Sequence, residues 1–274
     1  MQYLPSSMKR QSWSLRVCRN FWSVLVVGVV LILPLTVAAA FSSKRTIPEE
    51  PYPPAGYDLL EDATRLMFTR EHTQDEIFRL IDEAERRFSE IPDEDIRTYW
   101  IARTDLARAR RYNQLKDKKS AAKATARGLA QIQGVLEKEQ FSEGLRVLAD
   151  LHAQMMAAKG LFYMIRNGNE ARDAAIAALE REPRNIKAQI TVAGFLLNAP
   201  PMAGGDTEQG ILVLERALAQ EPASANDRFL ILGWLAQASH TLDDMDAAEQ
   251  YFAEALSIYP DSDWLAEIGD EILE

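Results

Sequence analysis

Three histidines are the first residues to examine for chemistry: His72, His152 and His240. Imidazole can act as a general base or a metal ligand near neutral pH. Spacings of 80 and 88 residues do not make a metal-binding pattern. None of the three has a Ser or Cys beside it in a nucleophile motif. His152 stands beside Leu151 and Met155 on an apolar stretch, the setting of a hydrogen-bonded core residue. His72 sits in a turn next to Thr73. His240 has two readings: a surface residue favoured by a helix C-terminal dipole, or a side chain lining a groove.

Asp243-Asp244-Met245-Asp246 gathers carboxylates as a Ca²⁺ loop would, but lacks the loop length, the Gly and the distal Glu of an EF-hand. Asp also caps helix starts, and that role fits a site between two helices. Gly204-Gly205-Asp206 could cradle an anion ahead of a helix. No Lys-Ser/Thr follows it, and an acidic cap repels phosphate, so a tight turn is expected. Met155, Met156 and Met164, with Leu161, Phe162 and Ile165, form a soft apolar stretch suited to core packing or to adaptable binding. No motif with paired catalytic roles is present, so the expectation is a protein that is not an enzyme, with no cofactor and no metal.

Charge is the most unusual feature. Residues 103–127 hold Arg103, Arg108, Arg110, Arg111, Lys116, Lys118, Lys119, Lys123 and Arg127 against only Asp105 and Asp117. Two readings compete. One is a solvated helix pair whose long stems cover apolar surface. The other is a basic patch, centred on Arg108, Arg110, Arg111, Lys116, Lys118, Lys119 and Lys123, for an anionic lipid, a cell-wall polymer or an acidic partner. The whole chain of 274 residues carries a formal charge of −10, which argues against nucleic acid.

The elements that must position these residues begin with a separate N-terminal object. Residues 1–48 contain no acid; Lys9, Arg10, Arg16 and Arg19 precede an apolar run, 21–41, broken only by Ser23 and Thr36. That run is long enough to cross a hydrocarbon core of roughly 30 Å, and the preceding charges favour an N-in orientation. Ala38-x-Ala40 also fits a signal-peptide cleavage site. Residues 1–41 are therefore a signal peptide cut after Ala40 or an uncut hydrophobic helix that anchors the chain in the membrane. Both place the remainder at the cell envelope: anchored in the inner membrane facing the periplasm or exterior, or released to the periplasm. The single Cys18 precedes the apolar run, so it is no lipid-attachment cysteine. Residues 42–56 contain Pro48, Pro51, Pro53 and Pro54 and are expected to be a proline-rich spacer of roughly 45 Å.

From residue 57 onward the pattern is all-α. Ile77, Leu80, Ile81, Ala84 and Phe88 fall on one helical stripe, and Thr73-x-x-Glu76 is a capping box. The chain then repeats itself: Ala178-Leu179 precedes Pro183, Ala217-Leu218 precedes Pro222, and Ala255-Leu256 precedes Pro260. The prolines are 39 and 38 residues apart. A small residue, Ala171, Gly210 or Ala248, stands two turns before each Ala, where it admits a neighbouring helix. Both Ala and Leu of each copy are expected to face inward. Ala84, Phe88 and Pro92 resemble the end of one more degenerate copy.

These copies resemble the tetratricopeptide repeat (TPR) family, with Ala248, Phe252, Ala255 and Pro260 at its small–aromatic–Ala–Pro positions and Leu232, Leu235 and Ala236 fitting the first helix. Ser239 replaces the usual Tyr, and Leu232 the frequent Trp. The resemblance implies a right-handed superhelix of antiparallel helix pairs: degenerate repeats over 57–150, TPR-like repeats over 151–274, and an acidic final helix as cap with Trp264 and Leu265 packed on the Ala255/Leu256 unit. It implies a non-catalytic scaffold for a protein or peptide partner, with Lys187, Ile190, Asn198, Gln237 and His240 as groove residues. Gly233 and Gln237 occupy two positions of the family's carboxylate clamp, so chaperone-tail binding is not expected. The Pro-Pro…Gly-Gly-Asp insertion at 198–206 is similar to one in exported TPR accessory subunits of TRAP-type solute uptake systems. That likeness implies an alternative: a transport accessory that binds a small apolar ligand.

Overall fold

The computed structural model describes residues 47–70 and 73–272. The leader with its apolar run, Cys18, the Ala40 site and His72 lie outside the described residues. Among the described residues eleven α-helices follow in order: α1 (Tyr57–Leu66), α2 (Gln74–Phe88), α3 (Glu94–Gln114), α4 (Lys118–Leu136), α5 (Ser142–Lys159), α6 (Leu161–Arg181), α7 (Ile186–Asn198), α8 (Thr207–Leu218), α9 (Ala225–Thr241), α10 (Met245–Ile258) and α11 (Asp263–Ile272). There is no strand among the described residues. Local chemistry sets many of the starts. The side chains of Thr73, Asp93, Asp117, Asn185, Asp206, Ser224 and Asp244 each accept a backbone N–H of the first turn, which satisfies donors that the helix itself leaves open. Asp244 is thus a cap within the acidic cluster.

The helices pair as five hairpins: α1/α2, α3/α4, α5/α6, α7/α8 and α9/α10, with α11 behind the last. Each odd-numbered helix packs on the next odd one, and each even helix fills the angle between its partner and the following hairpin. The seam that permits this is small. Ala171, Ala178, Ala217, Ala248 and Ala255 have no exposed surface, and Gly210 is buried. The leucines that follow the alanines differ from expectation. Leu179 and Leu218 are only half-buried and Leu256 is exposed, because adjacent residues on a helix lie about 100° apart and only one can face the seam. In the insertion, a 3-10 turn (Pro201–Ala203) leads to Gly204 at φ +90°, a conformation that suits glycine. A side chain at Gly205 would collide with the Ala199 carbonyl, so this segment is the tight turn its sequence suggests.

Trp264 and Leu265 divide their roles. Leu265 joins the cluster containing Ala255, Phe252 and Ile268. Trp264 packs on the same cluster and also covers α9: its ring centroid is 5.7 Å from Phe229 and 5.5 Å from Trp234. It covers Gly233, where an added Cβ would stand 2.5 Å from the indole.

The two ends of the array touch. α1 packs on α2, α3 and α9. Phe68, just after α1, lies 5.0 Å from Phe229 and stacks near Tyr259. Arg70 pairs with Asp263. The stretch 47–56, expected as a spacer, is docked where it is described. Ile47 and Pro51 are buried. The Glu49 carboxylate accepts the Ser142 N–H at 2.6 Å and two bonds from Arg181. The Glu49 carbonyl accepts the Glu143 N–H at 3.0 Å. A carboxylate that meets the open N–H groups of a helix start and a free guanidinium has reason not to remain in solvent. Elsewhere α6 leaves Leu161, Phe162 and Ile165 exposed at 60%, 88% and 72%. No helix among the described residues is long and apolar enough to cross a membrane.

Gly233→Val should displace Trp264 and cost about 1–3 kcal/mol of stability, the usual penalty for overpacking. Urea unfolding, with near-ultraviolet circular dichroism of the indole, measures it.

Candidate functional site

The inner strip of the stack is built by the odd helices, and its chemistry centres on α5. Glu143, Arg146 and Asp150 lie three and four residues apart, hence on one face. All three are buried. Arg146 donates to both Glu143 oxygens at 2.9 Å and to Asp150 at 2.7 Å. Neighbouring helices complete the set. From α3, the Tyr99 hydroxyl donates to Glu143 at 2.9 Å and Arg110 to Asp150 at 2.7 Å. From α7 and its cap, Asn185 donates to Glu143 at 2.9 Å and Thr191 to Asp150 at 2.8 Å. Burial alone would raise the Glu143 carboxyl. Arg146, Arg103 and the hydrogen bonds from Arg146 and Asn185 overcome it and hold that carboxyl at about 2. Burial of Tyr99 beside Glu143 pushes the phenol above its ordinary range.

The strip continues toward α9. Lys187 donates to Asp227 at 2.7 and 2.8 Å and lies 3.8 Å from Glu61 of α1. Glu61 accepts from Asn226 at 2.9 Å and from the Ser224 hydroxyl at 3.1 Å, and the Tyr259 hydroxyl donates to Asn226 at 2.8 Å. α1 thus lies across the strip with a cavity on each side. One, about 360 Å³, is lined by Tyr57, Glu61, Arg65, Ser224, Asn226 and Tyr259 among others. The other, about 320 Å³, has walls of Pro51, Pro53, Tyr57, Tyr99 and Trp100, with Arg103, Glu143, Lys187 and Asp227 among its polar groups.

Of the residues expected to line a groove, Lys187, Ile190 and Asn198 lie on α7 and Gln237 and His240 on α9, two helices that pack together. Lys187 alone of the five lines a described cavity, already paired with Asp227. Ile190 packs partly buried against the cluster of Leu214, Ile231 and Leu235. Asn198 is exposed at the end of α7 and donates to the Gly194 carbonyl at 2.8 Å. Gln237 and His240 are half-buried in the last turns of α9. His152, facing α6, shares a hydrogen bond of 2.9 Å with the Tyr163 hydroxyl through Nδ1. Burial lowers its pKa against the opposing pull of Glu170.

The basic stretch divides in two. Arg108 pairs with Asp82 at 2.6 Å, with Glu85 and with Asp105. Arg110 pairs with Asp150, and Arg127 with Asp105. Arg111 reaches the Gln114 side chain at 3.3 Å. The four lysines Lys116, Lys118, Lys119 and Lys123 are exposed around the α3–α4 turn. Arg108 and Arg110 of the patch therefore join helices together, Arg111 stays on its own helix, and the four lysines face water. Among the described residues no group of three His, Cys, Asp or Glu side chains could hold a metal ion.

Sequence reasoning did not single out Glu143, Arg146, Asp150, Asp227 or Glu61 as site residues. Their cross-helix partners lie 40 to 44 residues away in sequence for the pairs Arg110–Asp150, Lys187–Asp227, Thr191–Asp150, Asn185–Glu143 and Tyr99–Glu143. That separation is close to the proline period, so the repeat itself was the signal that could have found them.

No protein-family model matches the chain, and no curated protein matches it. Among solved structures, a thermophilic TPR protein from Thermus thermophilus superposes with a TM-score of 0.50 at 19% identity, covering 80% of this chain and 99% of that one. At that identity the likeness concerns the fold: this chain is a TPR-like stack of helix hairpins.

Glu143→Gln should remove a stabilising charge. Because its folded pKa lies below the unfolded value, the contribution is present above pH 4.5 and fades as pH falls from there toward 2. That shift corresponds to roughly 3 kcal/mol at pH 7. Urea midpoints from pH 7 to 3 should fall steeply for the natural chain and less steeply for the variant.

Proposed function

We propose that this protein is a non-catalytic scaffold that holds a protein or peptide partner at the cell envelope. The observation that carries the reading is the stack of five hairpins with its inner polar strip, open at two cavities beside α1. Such a stack presents an extended surface whose side chains come from successive repeats, the arrangement helical-repeat proteins use for recognition. The four water-facing lysines at the α3–α4 turn provide a second, electrostatic contact for an acidic partner or membrane surface. The apolar run at 21–41, cut after Ala40 or retained as an anchor, supports delivery to the envelope.

The alternative, an accessory of a solute uptake system with a small apolar ligand, fits less well. Arg103, Glu143, Lys187 and Asp227 line the aromatic cavity, and a wholly apolar ligand would strip these groups of water without replacing it.

Crosslinking in intact cells, followed by capture of the full chain and N-terminal sequencing, tests the proposal. The expected result is one protein enriched well above background, and a captured chain that begins at Phe41 or retains its leader in the membrane fraction. Recovery of the chain from the cytosol, or of no enriched protein, overturns it.

A further inference from the structure

Arg103 differs from the other buried cations of the inner strip; Arg184, on the same cavity wall, is exposed to water. Arg146 is matched by Glu143 and Asp150, Arg110 by Asp150, and Lys187 by Asp227 and Glu61. Arg103 is 9% exposed and has no hydrogen bond and no ion pair among the described residues. Aromatic faces hold it instead. Its guanidinium carbon lies 4.6 Å from the Trp100 ring centroid and 5.5 Å from that of Tyr57, and these two rings meet edge-on at 5.7 Å. The two rings stand 78° apart, so the guanidinium can lie parallel to one of them at most, and the N–H groups not turned toward a ring are left for another acceptor. Arg103 is part of the wall of the 320 Å³ cavity.

The nitrogens of Arg103 remain reachable by water, so a ligand oxygen can take the place of solvent there. The acids on the same wall are already taken. Glu143 feels the Arg103 charge but accepts its hydrogen bonds from Arg146, Tyr99 and Asn185. Asp227 accepts from Lys187. Glu50 stands exposed at the rim and makes no bond to Arg103. Arg103 therefore has no hydrogen-bond acceptor among the described residues, and it shares the cavity wall with Pro51, Pro53, Tyr99 and Trp100.

We propose that the Arg103 cavity binds a single carboxylate carried on a compact apolar body, such as a ring. The planar fork of the guanidinium matches the two carboxylate oxygens, and the aromatic and proline walls cover the body. On that wall Glu50, Glu143 and Asp227 balance Arg103, Arg184 and Lys187, so a singly charged carboxylate meets less repulsion than a doubly charged phosphate. Residues 51–53 form part of the enclosure, so the docked N-terminal stretch and the pocket exist together. The pocket goes beyond the scaffold reading and does not depend on it. The carboxylate could belong to a free small acid or to an acidic side chain of a bound peptide.

Calorimetric titration of the full chain in mild detergent distinguishes these. The probes are phenylacetate, its neutral twin phenylacetamide, inorganic phosphate, and an end-blocked peptide with one internal glutamate beside its glutamine twin. Phenylacetate or the glutamate peptide should bind saturably, at least about tenfold tighter than its neutral twin, the discrimination expected of a charge-assisted pair, and tighter than phosphate. Arg103→Met should abolish the binding with helicity unchanged. Arg103→Lys keeps the charge without the fork and should weaken it about tenfold; it also serves if the methionine variant does not fold. Glu50→Gln should tighten it. Phenylacetate alone identifies a free acid, and the glutamate peptide alone a partner's side chain. Binding of neither, equal binding of phosphate, or undiminished binding by the Arg103 variants overturns the pocket. If the variants still capture a cellular partner while no carboxylate binds, the pocket fails and the scaffold stands. Carboxylate binding with no partner captured supports the pocket and removes the scaffold.

Discussion

The guanidinium of Arg146 is the contact on which the inner face depends. It is 3% exposed and bridges Glu143 and Asp150 on its own helix. Each of those carboxylates then reaches outward, Glu143 to α3 and the α7 cap, Asp150 to α3 and α7. Three successive hairpins therefore share one charge cluster. Buried ion pairs add little net stability, because desolvation offsets the attraction, yet breaking one partner is severe. Their effect here is on register. An alanine seam tolerates sliding by a turn, since one small residue resembles another. A carboxylate with three assigned donors does not.

The same reasoning explains how the charge-rich segment behaves. Along the chain, residues 103–127 look like one basic surface. In three dimensions α3 lies between two acidic neighbours, and Asp82, Glu85 and Asp150 draw off its arginines. The lysines remain at the turn, beyond the reach of those helices. Arginine suits the first role because its fork can satisfy two helices at once, and lysine suits the second because its ammonium is strongly hydrated.

Much of the architecture was legible from residues. The Ala–Pro copies marked helix ends because a small side chain and a helix breaker fall where a seam and a turn are needed. The capping residues Thr73, Asp206 and Asp244 act as their positions suggest. The leucines beside the alanines were misplaced, since one step along a helix turns a side chain away from the seam. Residues 47–56 were misplaced for a different reason. Their composition favours an extended chain without helix or strand, but composition says nothing of Ser142 and Arg181 waiting more than ninety residues away. The inner strip was hidden because each pairing crosses about one repeat. A reading that aligned the copies and then compared charges between them would have reached Asp150, Asp227 and Glu143. Arg103 would still have escaped, because its distinguishing property is the lack of a partner, which no pattern in one dimension records.

The meeting of α1 with α9 changes how such a molecule should come apart. A linear row of helix pairs is coupled only between nearest neighbours, so it can unzip from either tip and melt in stages. Here the terminal pair is tied to the opening one through Phe68 and Phe229, Glu61 and Asn226. Fraying at the C-terminal tip must also break contacts made more than 150 residues earlier in the chain. A row tied at both ends is expected to unfold in a single cooperative transition where an open one would show several. Closure also demands long-range encounter during folding, which slows assembly relative to an open array of equal length.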